Sequence, residues 1–189
     1  MKVGLALCGS YCTYAKVMEA AERLAGEYEL TPIMSENAGS TDSRFGRAAD
    51  FRAKLEGYAG KEIIDTIAKA EPIGPKALLD ALVIMPCTGN TLAKLACGVT
   101  DSSVTMAAKA HLRNGRPVIV AVSTNDGLAA NARNIGELMV RKNYYFVPFY
   151  QDSPEKKPCS LVADFGLVEK TLEAAMNGKQ LEPVLIGRP

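Results

Sequence analysis

The chain has 189 residues, 48% of them apolar, and a formal net charge of +1. That length suits one α/β domain with a sizeable core, and a near-neutral balance argues against a nucleic-acid binder, which needs a basic excess to neutralise phosphates. The five cysteines (Cys8, Cys12, Cys87, Cys97 and Cys159) lack zinc-ribbon spacing, and their odd count argues against a secreted disulfide framework.

Short strand-like runs alternate with longer helical ones, as expected of a parallel sheet with crossover helices. Residues 3–8 read as a buried first strand, turning at Gly9-Ser10 into a helix over 13–25 that gathers Ala15, Met18, Ala21 and Leu24 on one face. A second strand spans 29–34 and ends at Ser35; the polar stretch 37–44 reads as a loop. Residues 47–58 and 63–70 read as helices, before Pro72-Ile73-Gly74-Pro75 breaks the chain. A central strand covers 82–85. Two helices follow, over 91–97 with Asn90 as its cap and over 102–113 with Asp101 as its cap. The remaining elements are a strand over 118–122, a helix over 128–141, a strand over 144–149 and a C-terminal helix over 162–176. The polar stretch 151–161 is a candidate flap, and residues 1–189 read as one doubly wound domain. The apolar run after Lys2 is too short for a signal sequence and nothing reaches membrane-span length, so a cytoplasmic protein with free thiols is expected.

Ligands of such sheets bind beyond the carboxyl ends of the strands, near the switch in strand order. Three strand ends carry glycine and small polar residues. At Cys8-Gly9-Ser10-Tyr11, glycine allows close backbone approach, and the amides opening the helix favour a phosphate. The turn matches neither a dinucleotide nor a triphosphate fingerprint, and a plain strand-to-helix turn would use the same residues. Met85-Pro86-Cys87-Thr88-Gly89-Asn90-Thr91 could hold a polar ring or cap a helix; Ser123-Thr124-Asn125-Asp126-Gly127 could line a site or form an Asx turn. Arg44, Arg47 and Arg52 could pair with a dicarboxylate or lie on a solvated helix face.

The stretch from Pro86 to Thr91, with Leu92-Ala93-Lys94, Gly98 and Asp101 after it, resembles the Pro-Ala-Ser-Ala-Asn-Thr signature of the flavin-containing cysteine decarboxylase family. Gly9-Ser10 resembles that family's phosphate turn. The Cys87-Thr88-Gly89 variant, the run from Ser123 to Leu128 and the run from Met106 to Val118 are similar to a dipicolinate-forming branch of the same family. The resemblance implies FMN held by three strand ends. Gly9, Ser10 and Tyr11 would lie at the first turn and Ser35 after the second strand. Pro86, Cys87, Thr88 and Gly89 would border the isoalloxazine, and Ser123 would complete the cofactor set. It further implies a three-layer, Rossmann-like fold of about six parallel strands, and a homo-oligomer built on trimers.

Departures from the family pattern bear on the chemistry. Pro72 stands where decarboxylases carry a histidine, and the one histidine, His111, reads as a helix-surface or packing residue. Of the family's Ala-Cys-Gly-Asp clamp only Cys159 remains, and Ser123-Thr124-Asn125-Asp126 replaces its usual Pro-Ala-Met-Asn. Decarboxylation of a cysteinyl peptide is therefore not expected. The resemblance implies instead an oxidoreductase subunit that works with a second, NAD(P)-binding subunit. Its substrate would be a small dicarboxylate, a dihydro- or hydroxytetrahydrodipicolinate, oxidised to dipicolinate during spore formation. Asn90, Asp126 and Cys159 are the candidate catalytic residues. The alternatives are a decarboxylase or flavin prenyltransferase relative, or a non-catalytic regulatory subunit with a vestigial flavin pocket.

Overall fold

A strand buried on both faces reads as a continuous apolar run, and β1 (Lys2–Leu7) is buried at every position after Lys2. The computed structural model describes residues 1–187. In it β1 pairs in parallel with β2 (Glu29–Met34) on one side. On the other side it pairs with β3 (Ala81–Cys87), all seven residues of which are buried. Next comes β4 (Val118–Thr124), also parallel. The outer edge of β4 is then divided. Its first half, Val118 to Val120, pairs in parallel with β5 (Tyr144–Phe146), while Ser123 and Thr124 pair antiparallel with β7 (Leu161–Ala163), itself paired with β6 (Phe149–Tyr150). The seven-stranded sheet is thus mostly parallel, with an antiparallel pair at one corner.

Helices cover both faces. On one face α1 (Tyr14–Glu27) buries Val17, Ala20, Ala21 and Leu24 beneath the sheet, and α8 (Val168–Met176) packs on β3, β4 and β5. On the opposite face α6 (Ser103–Leu112) lies across β2, β3 and β4. The other helices are α2 (Glu36–Ser40), α3 (Ala48–Ala59), α4 (Ile67–Ala70), α5 (Gly89–Cys97) and α7 (Ala132–Met139). No helix among the described residues is long and apolar enough to cross a membrane.

Several elements differ from the sequence expectation, each for a physical reason. Residues 36–40 form α2 rather than loop, because the Ser35 hydroxyl accepts from the Ala38 amide and caps the turn. The helix expected over 63–70 shrinks to α4, since Ile64 is drawn into a bridge with Ile33 at the sheet edge. The strand expected over 144–149 breaks at Pro148, which has no amide to donate. Residues 161–163 are a strand, not the start of the last helix, because the bare edge of β4 takes them as a partner. Of the two readings of His111, the structure takes the packing one: the ring is fully buried, with Nε2 3.1 Å from the Pro117 carbonyl.

A candidate cofactor crevice at the strand-order switch

From β1 the chain turns to β2 on one side and then returns past β1 to β3 on the other, so strand order reverses between β1 and β3. A crevice opens beyond the carboxyl ends of those two strands. Ser10 takes a left-handed conformation there (φ 72°, ψ 47°). Its hydroxyl donates to the Ser123 carbonyl at 2.6 Å, and its own carbonyl accepts from the Thr13 amide and hydroxyl. The ends of β1 and β4 are thereby tied together across the end of β3. Tyr11 reaches the other way and donates to the Asn37 carbonyl at 2.9 Å.

Thr88 closes β3 and opens α5, its hydroxyl accepting from the Thr91 amide at 3.2 Å. Thr88, not Asn90, is therefore the cap, and Asn90 stands exposed on the first turn. Capping of α6 likewise falls to Ser102, which forms a reciprocal box with Thr105, rather than to Asp101. Asp101 instead binds Lys94 at 2.8 Å. Two cavities meet at Thr88. One, of about 460 Å³, is lined by Cys8, Gly9, Tyr11, Ser35, Asn90 and Lys94 among others. The second, of about 350 Å³, takes in Ser10, Thr13, Ser123, Asp126, Lys157 and Ser160.

The sequence matches the Flavoprotein family over residues 1–165. The chain belongs to the flavoprotein family. It is 48% identical over 186 residues to the B subunit of dipicolinate synthase from Bacillus subtilis (strain 168), covering 98% of this chain and 93% of that protein. The crystal structure of the B subunit of dipicolinate synthase from Bacillus halodurans C superposes with a TM-score of 0.91 at 46% identity, covering 100% of this chain and 97% of that one. The FMN-dependent cysteine decarboxylase SpaF shares the fold at 21% identity, with a TM-score of 0.68 and coverage of 94% and 97%.

In this flavoprotein the expected cofactor residues divide into two groups. Gly9, Ser10, Tyr11, Ser35, Thr88 and Ser123 line the two cavities. Pro86, Cys87 and Gly89 are buried and line neither. Cys87 sits wholly inside β3, and burial holds its thiol well above the ordinary range. Pro86 lies at a bulge where β3 slips register against β4. Gly89 has a packing role. A Cβ on it would stand 2.4 Å from Asn131 Nδ2 and 2.6 Å from Thr124 Oγ1, so α5 starts against a polar cluster that only glycine admits.

That cluster centres on Asp126. One carboxylate oxygen accepts from the Thr124 hydroxyl and the other from the Asn131 amide at 2.8 Å; Asn131 in turn accepts from Asn134. Asp126 lines the smaller cavity with its orientation set from both sides. Cys159 does not line that cavity; its carbonyl accepts from the Leu128 amide and anchors the 151–160 segment to the turn after β4. From that segment Asp152 and Lys157, paired at 3.0 Å, reach the cavity, as does Ser160.

Lys94 and Cys8 also line the larger cavity, although the sequence motifs that contain them gave neither a site role. Lys94 follows Asn90 by one helical turn, so the spacing alone places both on one face. Cys8 is buried with its thiol pushed up to about 11, chiefly by desolvation. Of the arginines, Arg47 pairs with Asp50 on the surface, while Arg52 binds Asp65 at 2.9 Å in a neighbouring polar cavity.

Proposed function

We propose that this flavoprotein binds FMN in the crevice around Thr88 and serves as one component of a dipicolinate synthase. The reading rests on one observation above the others: two cavities meet at the strand-order switch, walled by a glycine turn, hydroxyl groups and the Tyr11 ring. The residues present suit a flavin mononucleotide. Gly9 leaves a slot whose nearest atom to a hypothetical Cβ is Thr88 Cγ2 at 3.6 Å, so a larger side chain would fill it. In this reading Gly9, Ser10, Tyr11, Ser35, Thr88 and Ser123 hold the cofactor. Pro86, Cys87 and Gly89 set the course of the chain behind it. The names of the relatives from both Bacillus species support the same assignment.

Bound FMN would supply hydride acceptance for the oxidation of a dihydro- or hydroxytetrahydrodipicolinate. Asp126 is the proton acceptor among the chain's own groups. Thr124 and Asn131 each occupy one site on its carboxylate oxygens, and further lone pairs stay available. Asn90, exposed at the start of α5, positions the substrate's polar groups. The 151–161 segment is the flap that excludes water, with Cys159 as its anchor. The sequence carries no dinucleotide fingerprint, so the reducing equivalents pass to an NAD(P)-binding partner, the A subunit of dipicolinate synthase. The flavoprotein assembles as a cytoplasmic homo-oligomer built on trimers.

Titration of the apoprotein with FMN, followed by flavin absorbance, should show one FMN per chain. Dipicolinate absorbance is then followed with each of the two proteins by itself and with both, in the presence of NAD(P). Synthesis by the mixture only is the expected result. If the NAD(P)-binding partner by itself matches the mixture, this chain is not catalytic; if this chain with FMN and oxygen alone matches it, the two-protein scheme is wrong.

A further inference from the structure

Away from the crevice, a cavity of about 430 Å³ opens between the C-terminal end of α5, the outer side of α6 and the turn into β5. Three cations line it, Lys109, Arg141 and Lys142, and no carboxylate does. The crevice differs in this respect, since Glu36 and Asp101 line one of its cavities and Asp126 and Asp152 the other. Arg141 is held rigidly. It donates to the Leu95 carbonyl at 3.2 Å, the Ala96 carbonyl at 2.6 Å and Glu137 at 2.8 and 3.1 Å, which leaves one Nη1 proton unused. Glu137 offsets the charge of Arg141, whereas Lys109 and Lys142 have no ion-pair partner among the described residues. Leu95 and Leu112 supply apolar wall, and the nearly buried Tyr144 presents its ring and a hydroxyl without a hydrogen bond among the described residues.

We propose that this cavity is a binding site for a small, flat dicarboxylate, separate from the flavin crevice. The ammonium groups of Lys109 and Lys142 and the spare proton of Arg141 take the carboxylates, and the ring lies against Leu95 and Leu112. Two unneutralised cations beside an apolar wall match an anion with an apolar body better than a fully hydrated ion such as phosphate. The choice of pyridine-2,6-dicarboxylate as first probe rests on the proposed function; the anion site itself does not.

The test is isothermal titration calorimetry of the full chain with pyridine-2,6-dicarboxylate, and separately with inorganic phosphate. One site per chain with a Kd of about 1 mM or tighter is expected, with phosphate at least about tenfold weaker. The Lys109→Ala/Lys142→Ala double variant removes two exposed, unpaired groups, so its fold should persist, and its affinity for the dicarboxylate should fall about tenfold or more. Binding indifferent to the double variant would place the ligand elsewhere and overturn the proposal. So would equal affinity for phosphate, or no binding at concentrations up to about 10 mM. Protection of both lysines from acetylation in the ligand-free protein would show a neighbouring copy of the chain filling the cavity, and would overturn it as well. The FMN titration fails or succeeds independently of these outcomes.

Discussion

Gly89 lies so close to Asp126 that a Cβ built on the glycine would stand 2.8 Å from Asp126 Oδ1. The first turn of α5 and the carboxylate after β4 are therefore set by one another, although they lie 37 positions apart in the numbering of the chain. Gly89→Ala should push the Asp126, Thr124 and Asn131 groups apart and cost about 1–3 kcal/mol, as overpacking of a filled site does. Urea denaturation monitored by circular dichroism measures this. A midpoint equal to that of the unaltered protein would show that the cluster yields at no cost.

Gly9 tests the cofactor slot without such a clash. The space beside it is open to ordinary contact at 3.6 Å from Thr88 Cγ2, so Gly9→Val should leave the fold intact. Its methyl groups would enter the slot and weaken FMN binding about tenfold or more, equivalent to about 1.4 kcal/mol. Fluorescence titration with FMN reads this directly, and unchanged affinity in a folded variant would remove the turn from the cofactor site.

Asn90 can be probed for chemistry because Thr88 carries the helix cap. Asn90→Ala should preserve thermal stability and FMN affinity while lowering kcat of the two-protein reaction about a hundredfold. Thr88→Ala makes the contrast, with a loss of about 1 kcal/mol in stability from the missing cap. Full activity in Asn90→Ala would take that residue out of the reacting centre.

His111 should make the fold acid-sensitive. Its Nε2 donates to the Pro117 carbonyl, its Nδ1 has no partner among the described residues, and burial lowers its pKa from 6.5 to about 4. As pH falls, the unfolded chain takes up this proton first, because its histidine keeps the higher pKa. The contribution is therefore whole above about pH 6.5 and is lost as pH falls towards about 4, a total on the order of 3 kcal/mol. Urea midpoints across that interval, compared with His111→Leu, measure it; equal slopes for the two proteins would refute the assignment.

The sequence by itself determined the parallel sheet and the strand ends that meet at the crevice. Strands buried on both faces need uninterrupted apolar runs, and the turns after them need glycine and small polar residues, so both leave local marks. Gly9, Ser10, Ser35 and Thr88 were legible for that reason. What only the tertiary structure decided involves partners far apart in the chain. Whether Thr88 or Asn90 caps α5 depends on a backbone angle that neighbouring residue types do not dictate. The strand at Leu161–Ala163 exists because β5 covers only the first half of β4, leaving Ser123 and Thr124 with unpaired edge groups. The need for glycine at position 89 comes from Thr124, Asp126 and Asn131, and the burial of His111 comes from α6 lying on the sheet above Pro117. Local propensity carries none of this, because each outcome is settled by which long-range surfaces exclude water and which polar groups must then find one another.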